Sequence, residues 1–326
     1  HSRGKSAGSA ANPASAAAAL VAPGALQFAE VANHDAEEEV NHDAFSIGIR
    51  RRKIEGGAED PYLMQQLGVA WTRGLQESAA DPRYVQVAVT LKHFDGNSLE
   101  DADGFTRHTA DARISKYALA EYYWPAFKGA IRDAGAKGVM CSYNAVNGVP
   151  TCVDPLMKAA RDAWNFSGYV TSDSDSVADV WNQHHYVPTA AQASCLAVRD
   201  GGCDIDSGNT YASSLLQGVS EGHCAMADVD AALFNTMKVR FELGLFDPIA
   251  DQPLWKLGAE DIGTDAAAAL NLRAAQESLV LVQNPSPGGK GAAAVLPPPV
   301  LKPVDFALQR WTHLTRSLRH RRRLRR

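Results

Sequence analysis

Three groups of chemically able side chains stand out along the chain. The first is Asp173, within Ser172-Asp173-Ser174-Asp175, directly after the apolar run Tyr169-Val170-Thr171. A carboxylate held at the end of a buried strand can serve as a nucleophile. A plainer reading competes with it: Ser-Asp-Ser-Asp is also a good helix-capping sequence, with Asp175 the more natural cap. The second group is Lys92-His93, at the end of Val85–Leu91, whose β-branched alternation reads as a strand. Adjacent ammonium and imidazole donors suit two neighbouring hydroxyls of a polyol. A lone strand-end His is usually a satisfied core residue, but an ammonium turned into a site is costly without an anionic or polyol partner. The third group is His184-His185, shortly after Asp173 and Asp175, which raises metal binding. No C-x-x-C pair accompanies it, which speaks against zinc.

Elements that must position these groups are legible around them. Gly138-Val139-Met140-Cys141 is an apolar run opening into Ser142-Tyr143-Asn144, and Tyr169-Val170-Thr171 opens into the Asp173 segment. Between them Asp154–Trp164 has the length and patterning of a helix, so the unit scans as strand, helix, strand with a parallel pair and a crossover. In such sheets, polar residues at the C-terminal strand ends line the ligand crevice. Tyr143 and Met140 sit where a pocket wall would be, although an aromatic and a thioether there also read as plain core.

Several of these segments recur in a familiar order. Glu55–Pro61 (EGGAEDP) and Gly74-Leu75-Gln76 come first, then Lys92-His93-Phe94, Arg107 and Arg113–Phe127 (RISKYALAEYYWPAF). The Gly138–Val177 unit follows, then Asn182–Tyr186 (NQHHY), Gly201–Gly208 and Phe241–Pro248 (FELGLFDP). Over residues 45–285 this resembles the N-terminal barrel domain of family 3 glycoside hydrolases, nearest to the plant-type β-xylosidase and α-L-arabinofuranosidase branch. The resemblance implies an α/β chain with a partial (β/α)8 barrel of TIM type. That barrel is expected to be incomplete at its N-terminal strands and followed by only the start of a second α/β sandwich domain. It implies residues 1–25 as a low-complexity lead, 26–248 as the barrel, 249–270 as a linker, 271–284 as the start of the second domain, and 285–326 as a Pro/Gly-rich and Arg-rich disordered tail. Leu26–Phe45 reads as one acidic helix, and Arg113–Phe127 matches a helix of the family.

The chemistry implied is exo-acting hydrolysis of β-linked sugars, β-xylosidase-like and retaining, with an oligosaccharide or glycoside as substrate and neither cofactor nor metal. Retention needs two carboxyl groups about 5–5.5 Å apart. Asp173 matches the family's nucleophile, and Lys92 and His93 its sugar-binding pair; Tyr143 and Met140 match pocket-lining positions. Arg52 aligns with the sugar-binding Arg when counted back from Glu59-Asp60-Pro61. Around it, however, Ile49–Glu55 (IRRRKIE) lacks the glycines that let backbone approach a ligand, and four consecutive cations also read as a solvated run. His184-His185 falls in the family's N-Q-H-Y segment, a reading without metal. The acid/base Glu of the family lies in the second domain, of which Leu272–Asn284 (LRAAQESLVLVQN) resembles the first helix and strand. No carboxylate with family context follows Asn284. The competing reading is therefore a catalytically silent homologue or a carbohydrate-binding remnant.

Composition bounds these readings. The 326 residues are 45% hydrophobic with a net charge of -5, enough for a substantial core. Residues 316–326 carry seven Arg and no acid, so the rest of the chain is acidic, at about -12, which argues against nucleic-acid binding. No apolar run is long enough to span a bilayer. The Ala-rich stretch Ala14–Ala25 reads as lead-in sequence or as a signal remnant, and the family resemblance implies an extracellular or secretory location. Of five cysteines, Cys141 and Cys152 flank the turn Asn147-Gly148-Val149-Pro150, leaving open a bridge or two thiols. The xylosidase branch has cysteines at both places, and further ones where this chain has Ser174 and Ser207.

Overall fold

The computed structural model describes residues 28–32, 50–51, 58, 60–78, 81–102 and 104–280. The lead 1–25, Arg52 and the tail 285–326 lie outside them. Two compact units meet in sequence at Leu254 and Trp255. The first is built on a parallel sheet whose strands run in sequence order: β1 (Phe28–Ala32), β2 (Ala88–Phe94), β3 (Gly138–Cys141) and β4 (Tyr169–Ser172). A parallel bridge from Thr171 to Ile205 carries the sheet on past β4. Among the described residues the ladder is open, running from β1 to Ile205.

Helices cross between the strands: α1 (Pro61–Gln76), α2 (Pro125–Ala134) and α3 (Pro155–Ala163), followed by α4 (Ser176–Asn182), α5 (Ala190–Leu196) and α6 (Met226–Glu242). Their starts are written locally. Asp60 and Asp154 precede a Pro at the first helical position, and their carboxylates accept from the Leu63 and Leu156 amides at 2.6 and 2.9 Å. The first three helices cover one face of the sheet, where Val89, Leu91, Phe94, Val139 and Val170 pack with Phe127, Ile131, Met157 and Trp164. On the other face Tyr169 joins Ala88 and Val239, and its hydroxyl bonds the Thr90 hydroxyl at 2.6 Å. Gly138 makes that crossing possible, since a Cβ there would stand 2.7 Å from Thr90 Oγ1 and 2.8 Å from Tyr169 Oη.

Three expectations are corrected. Leu26–Phe45 is not one helix, because Phe28–Ala32 is β1, paired in parallel with Ala88–Lys92; a partner distant in sequence overrides the local acidic pattern. Arg113–Phe127 is broken into a short helix Lys116–Ala118, a wide π turn Leu119–Tyr123 and α2, because Pro125 has no amide to continue the ladder. The strand read over Val85–Leu91 runs over Ala88–Phe94. In the second unit, α7 (Asp265–Glu277) begins within the span read as linker, before Leu272.

Cys141 and Cys152 form a disulfide with Cα atoms 5.1 Å apart, closing the loop that carries Ser142-Tyr143-Asn144. Such a short closed loop contributes about 2–3 kcal/mol. A second bridge, Cys195–Cys224, was not evident from sequence. Cys203 is free and buried, and burial pushes its thiol far above the usual range.

Candidate active site

The site begins with an irregularity in β2. Leu91 pairs with Val139 and the ladder resumes at Phe94 with Cys141, so β2 spends one residue more than β3. This bulge returns Phe94 to the core face that Leu91 occupies and leaves Lys92-His93 at the strand end. His93 is buried, and its Nε2 stands 3.3 Å from Asp173 Oδ2. Lys92 adjoins it in the same bulge.

Asp173 follows β4, its amide donating to the Cys141 carbonyl at 3.1 Å. Its Oδ1 accepts from the Tyr143 hydroxyl at 3.0 Å and from the Ser174 amide at 2.7 Å. The side chain therefore does not cap α4; the Asp173 backbone carbonyl takes the Ser176 amide and hydroxyl instead. Asp175 stands at the N-cap position but in the left-handed region, φ 61, and makes no side-chain capping bond. Gly208 gives its carboxylate room, since a Cβ there would lie 2.5 Å from Asp175 Oδ1. The segments of Ser174 and Ser207 are neighbours, the Asp175 amide donating to the Ser207 carbonyl at 2.9 Å.

Tyr143 is held from all sides. The disulfide precedes it, and its carbonyl bonds His184 Nε2 at 2.7 Å. The Arg107 guanidinium lies 4.7 Å over its ring and the His108 ring 4.4 Å from it. Burial first, then the Asp173 charge, pushes its hydroxyl up to about 12, so Tyr143 is a hydrogen-bond donor to Asp173 at any working pH. His185 Nδ1 bonds the Trp181 carbonyl at 3.2 Å, away from the His184 contact. Among the described residues no group of three or more His, Cys, Asp or Glu is placed to hold a metal ion.

Met140 pairs with Thr171 on the strand face away from Val139 and Cys141 and is partly exposed. Sequence reasoning did not single out His108, Asp179 or Asp95. Asp95 directly follows β2, is fully buried and accepts from Trp124 Nε1 at 2.7 Å. Burial raises its carboxyl to about 7, against the Trp124 bond and with help from the Asp154 charge. Its backbone carbonyl accepts from Ser142 Oγ and Asn144 Nδ2, the residues flanking Tyr143.

A carboxylate fed by phenol, imidazole and amide, with a Lys-His pair two strands away, thus stands at the C-terminal end of a parallel sheet crossed by helices, where α/β enzymes place their sites. The chain belongs to glycosyl hydrolase family 3: residues 40–239 match that family's N-terminal domain. It is 39% identical over 238 residues to a probable exo-1,4-β-xylosidase of Aspergillus terreus and 35% identical to probable β-D-xylosidase 7 of Arabidopsis thaliana. Each alignment covers 72% of this chain and 31% of the relative. Among solved structures, an exo-β-xylosidase of this family in complex with a xylobiose aziridine activity-based probe matches with a TM-score of 0.67 at 32% identity, over 71% of this chain and 30% of that one. A β-glucosidase of Listeria innocua matches with a TM-score of 0.63 at 29% identity, over 72% and 32%. The chain thus spans about a third of the length of the relatives it matches. No helix among the described residues is long and apolar enough to cross a membrane.

Proposed function

We propose that this chain carries the nucleophile half of a retaining exo-β-glycosidase site acting on β-linked xylose. The observation that carries the reading is the set of partners on Asp173. Oδ1 holds the Tyr143 hydroxyl and the Ser174 amide, so Oδ2, beside His93, is the oxygen left to attack. In the step proposed, Oδ2 bonds to the anomeric carbon while the glycosidic C–O bond breaks, and the leaving oxygen takes the bond pair and a proton. Water then cleaves the glycosyl ester, returning the carboxylate and releasing the sugar. Lys92 and His93 hold the sugar hydroxyls, with Arg52 a further sugar-binding donor and Tyr143 and Met140 as pocket wall. The partners on Asp173 are an imidazole, a phenol and an amide, so the proton for the leaving group comes from a group beyond this set. The relatives' names support xylose, and two cystine bridges support an oxidising, secretory location.

The test is incubation with a 2-fluoro-xyloside bearing a good leaving group, followed by peptide mass mapping. The expected result is one adduct, on Asp173. An adduct on another carboxylate overturns the nucleophile. No adduct, with sugar retained on the protein in a binding assay, favours the silent, carbohydrate-binding homologue.

A further inference from the structure

His108 and Asp179 form a buried-edge pair beside the site that the proposed chemistry does not use. His108 Nδ1 lies 2.6 Å from Asp179 Oδ2, and Asp179 is 8% exposed at its side chain. An ionised carboxylate only accepts, so the Nδ1 proton belongs to the imidazole and points at Asp179. The other ring nitrogen, Nε2, faces Arg107 Nε at 3.3 Å. A guanidinium only donates, so Nε2 must present its lone pair there. The two partners fix one neutral tautomer. They also argue against His108 as the missing acid, since the nitrogen that would deliver a proton is engaged by a donor.

What the pair orders is Arg107. Its guanidinium is held by His108 on one side and by Glu100 Oε1 at 3.3 Å on another. So held, it lies over the Tyr143 ring, with the His108 ring in contact as well. A cation over a phenol ring in a partly desolvated site is attracted to the negative face of the ring, and here that attraction orients a ring whose hydroxyl ends on Asp173.

We propose that Asp179 and His108 are positioning residues for the nucleophile. Asp179 sets the His108 tautomer, His108 sets Arg107, and the two together clamp the Tyr143 ring so that its hydroxyl stays on Asp173. The inference rests on the nucleophile reading above. Asp179→Asn is the informative change. An amide that donates to Nδ1 moves the imidazole proton to Nε2, where it meets the Arg107 N–H head on. Asp179→Glu keeps a carboxylate, and a thermal melt of each variant separates unfolding from loss of the clamp.

Two readouts decide the matter on the full chain. In 15N NMR of histidine-labelled protein, with His108→Gln identifying the signal, the parent should show the Nδ1–H tautomer and Asp179→Asn the Nε2–H tautomer. Tyrosine ring signals assigned with Tyr143→Phe should move in Asp179→Asn. With the 2-fluoro-xyloside, the maximal rate of Asp173 labelling should fall roughly 10-fold to 100-fold in Asp179→Asn, as for a misplaced reacting group. Its half-saturating concentration should stay near that of the parent, and Asp179→Glu should restore most of the rate. An Nε2–H tautomer in the parent, unmoved Tyr143 signals, or an unchanged labelling rate in folded Asp179→Asn would each overturn the clamp. If no form of the protein is labelled, the nucleophile reading fails, and the two NMR signals still decide whether the clamp exists.

Discussion

Asp95 and Asp173 are the same residue type in the same place, each directly after the last residue of a parallel strand. Their surroundings make them different groups. Asp95 is buried and receives one indole N–H, from Trp124, whose ring packs with Phe94 and Trp164, centroids within 6.5 Å of one another. Desolvation there favours the neutral carboxyl. Asp173 receives a phenol, a backbone amide and a nearby imidazole, and its side chain is 15% exposed. Donors of that kind fix the direction in which the carboxylate oxygens point. Strand-end position brings a carboxylate to the site; the donor set decides whether it can act as a nucleophile or as a buried acid that fixes the strand end.

The hardest blow to that comparison is Asp173→Ala. Loss of a nucleophile removes the covalent route, so hydrolysis of an aryl xyloside should fall on the order of 10⁴-fold or more, with no 2-fluoro adduct. Asp95→Asn keeps the backbone carbonyl that Ser142 and Asn144 use, so its labelling should stay within about tenfold of the parent. Equal losses in the two variants would dissolve the distinction. Next in size is dependence on the leaving group. General-acid assistance contributes roughly 10²–10⁴-fold, and the partners of Asp173 include no carboxylic acid. A dinitrophenyl xyloside should therefore be cleaved faster than xylobiose by at least that margin, with azide trapping the glycosyl group as its azide. Efficient cleavage of xylobiose would reveal an acid within this chain, with Asp175, two residues after Asp173, the first to substitute.

How far the sequence reaches is itself uneven, and for physical reasons. β3, α3 and β4 were readable almost to the residue because apolar runs and a local signal bound them: Asp154-Pro155 starts α3, and Trp164 ends it. β2 was placed too early, since its alternation stops at Leu91, where the bulge begins, and a bulge depends on the partner strand. β1 was missed for the same reason. At the site, Asp173, His93 and Tyr143 were found from strand ends and family order, and the structure brings those three together. Their roles await the labelling experiments. The His108–Asp179 pair spans 71 positions, and only the fold places the two side chains together. The capping alternative for Asp173 could be decided only by seeing which amide its carboxylate meets, and that amide is Ser174.

The smallest predicted effect concerns stability and isolates Asp95. Its folded value, about 7, lies above the usual carboxylate value of about 4 in an unfolded chain. The unfolded chain therefore gives up its proton first as pH rises, and each step of pH above about 4 stabilises the unfolded state relative to the folded one until Asp95 ionises in both. Between pH 5 and pH 7 this group alone should remove about 2 kcal/mol of stability. Asp204, raised to about 6 by burial despite its Arg161 partner, contributes in the same direction. Asp95→Asn retains an oxygen to accept the Trp124 indole N–H but cannot ionise. Denaturant unfolding at pH 5 and pH 7 should show the parent losing more stability than the variant by about 2 kcal/mol, with a residual slope in the variant from the other carboxyls that burial raises, Asp154, Asp179, Asp204 and Asp206. Parallel losses in both proteins would mean that Asp95 is already ionised in the fold, and that its site is not the dry counterpart of the Asp173 site.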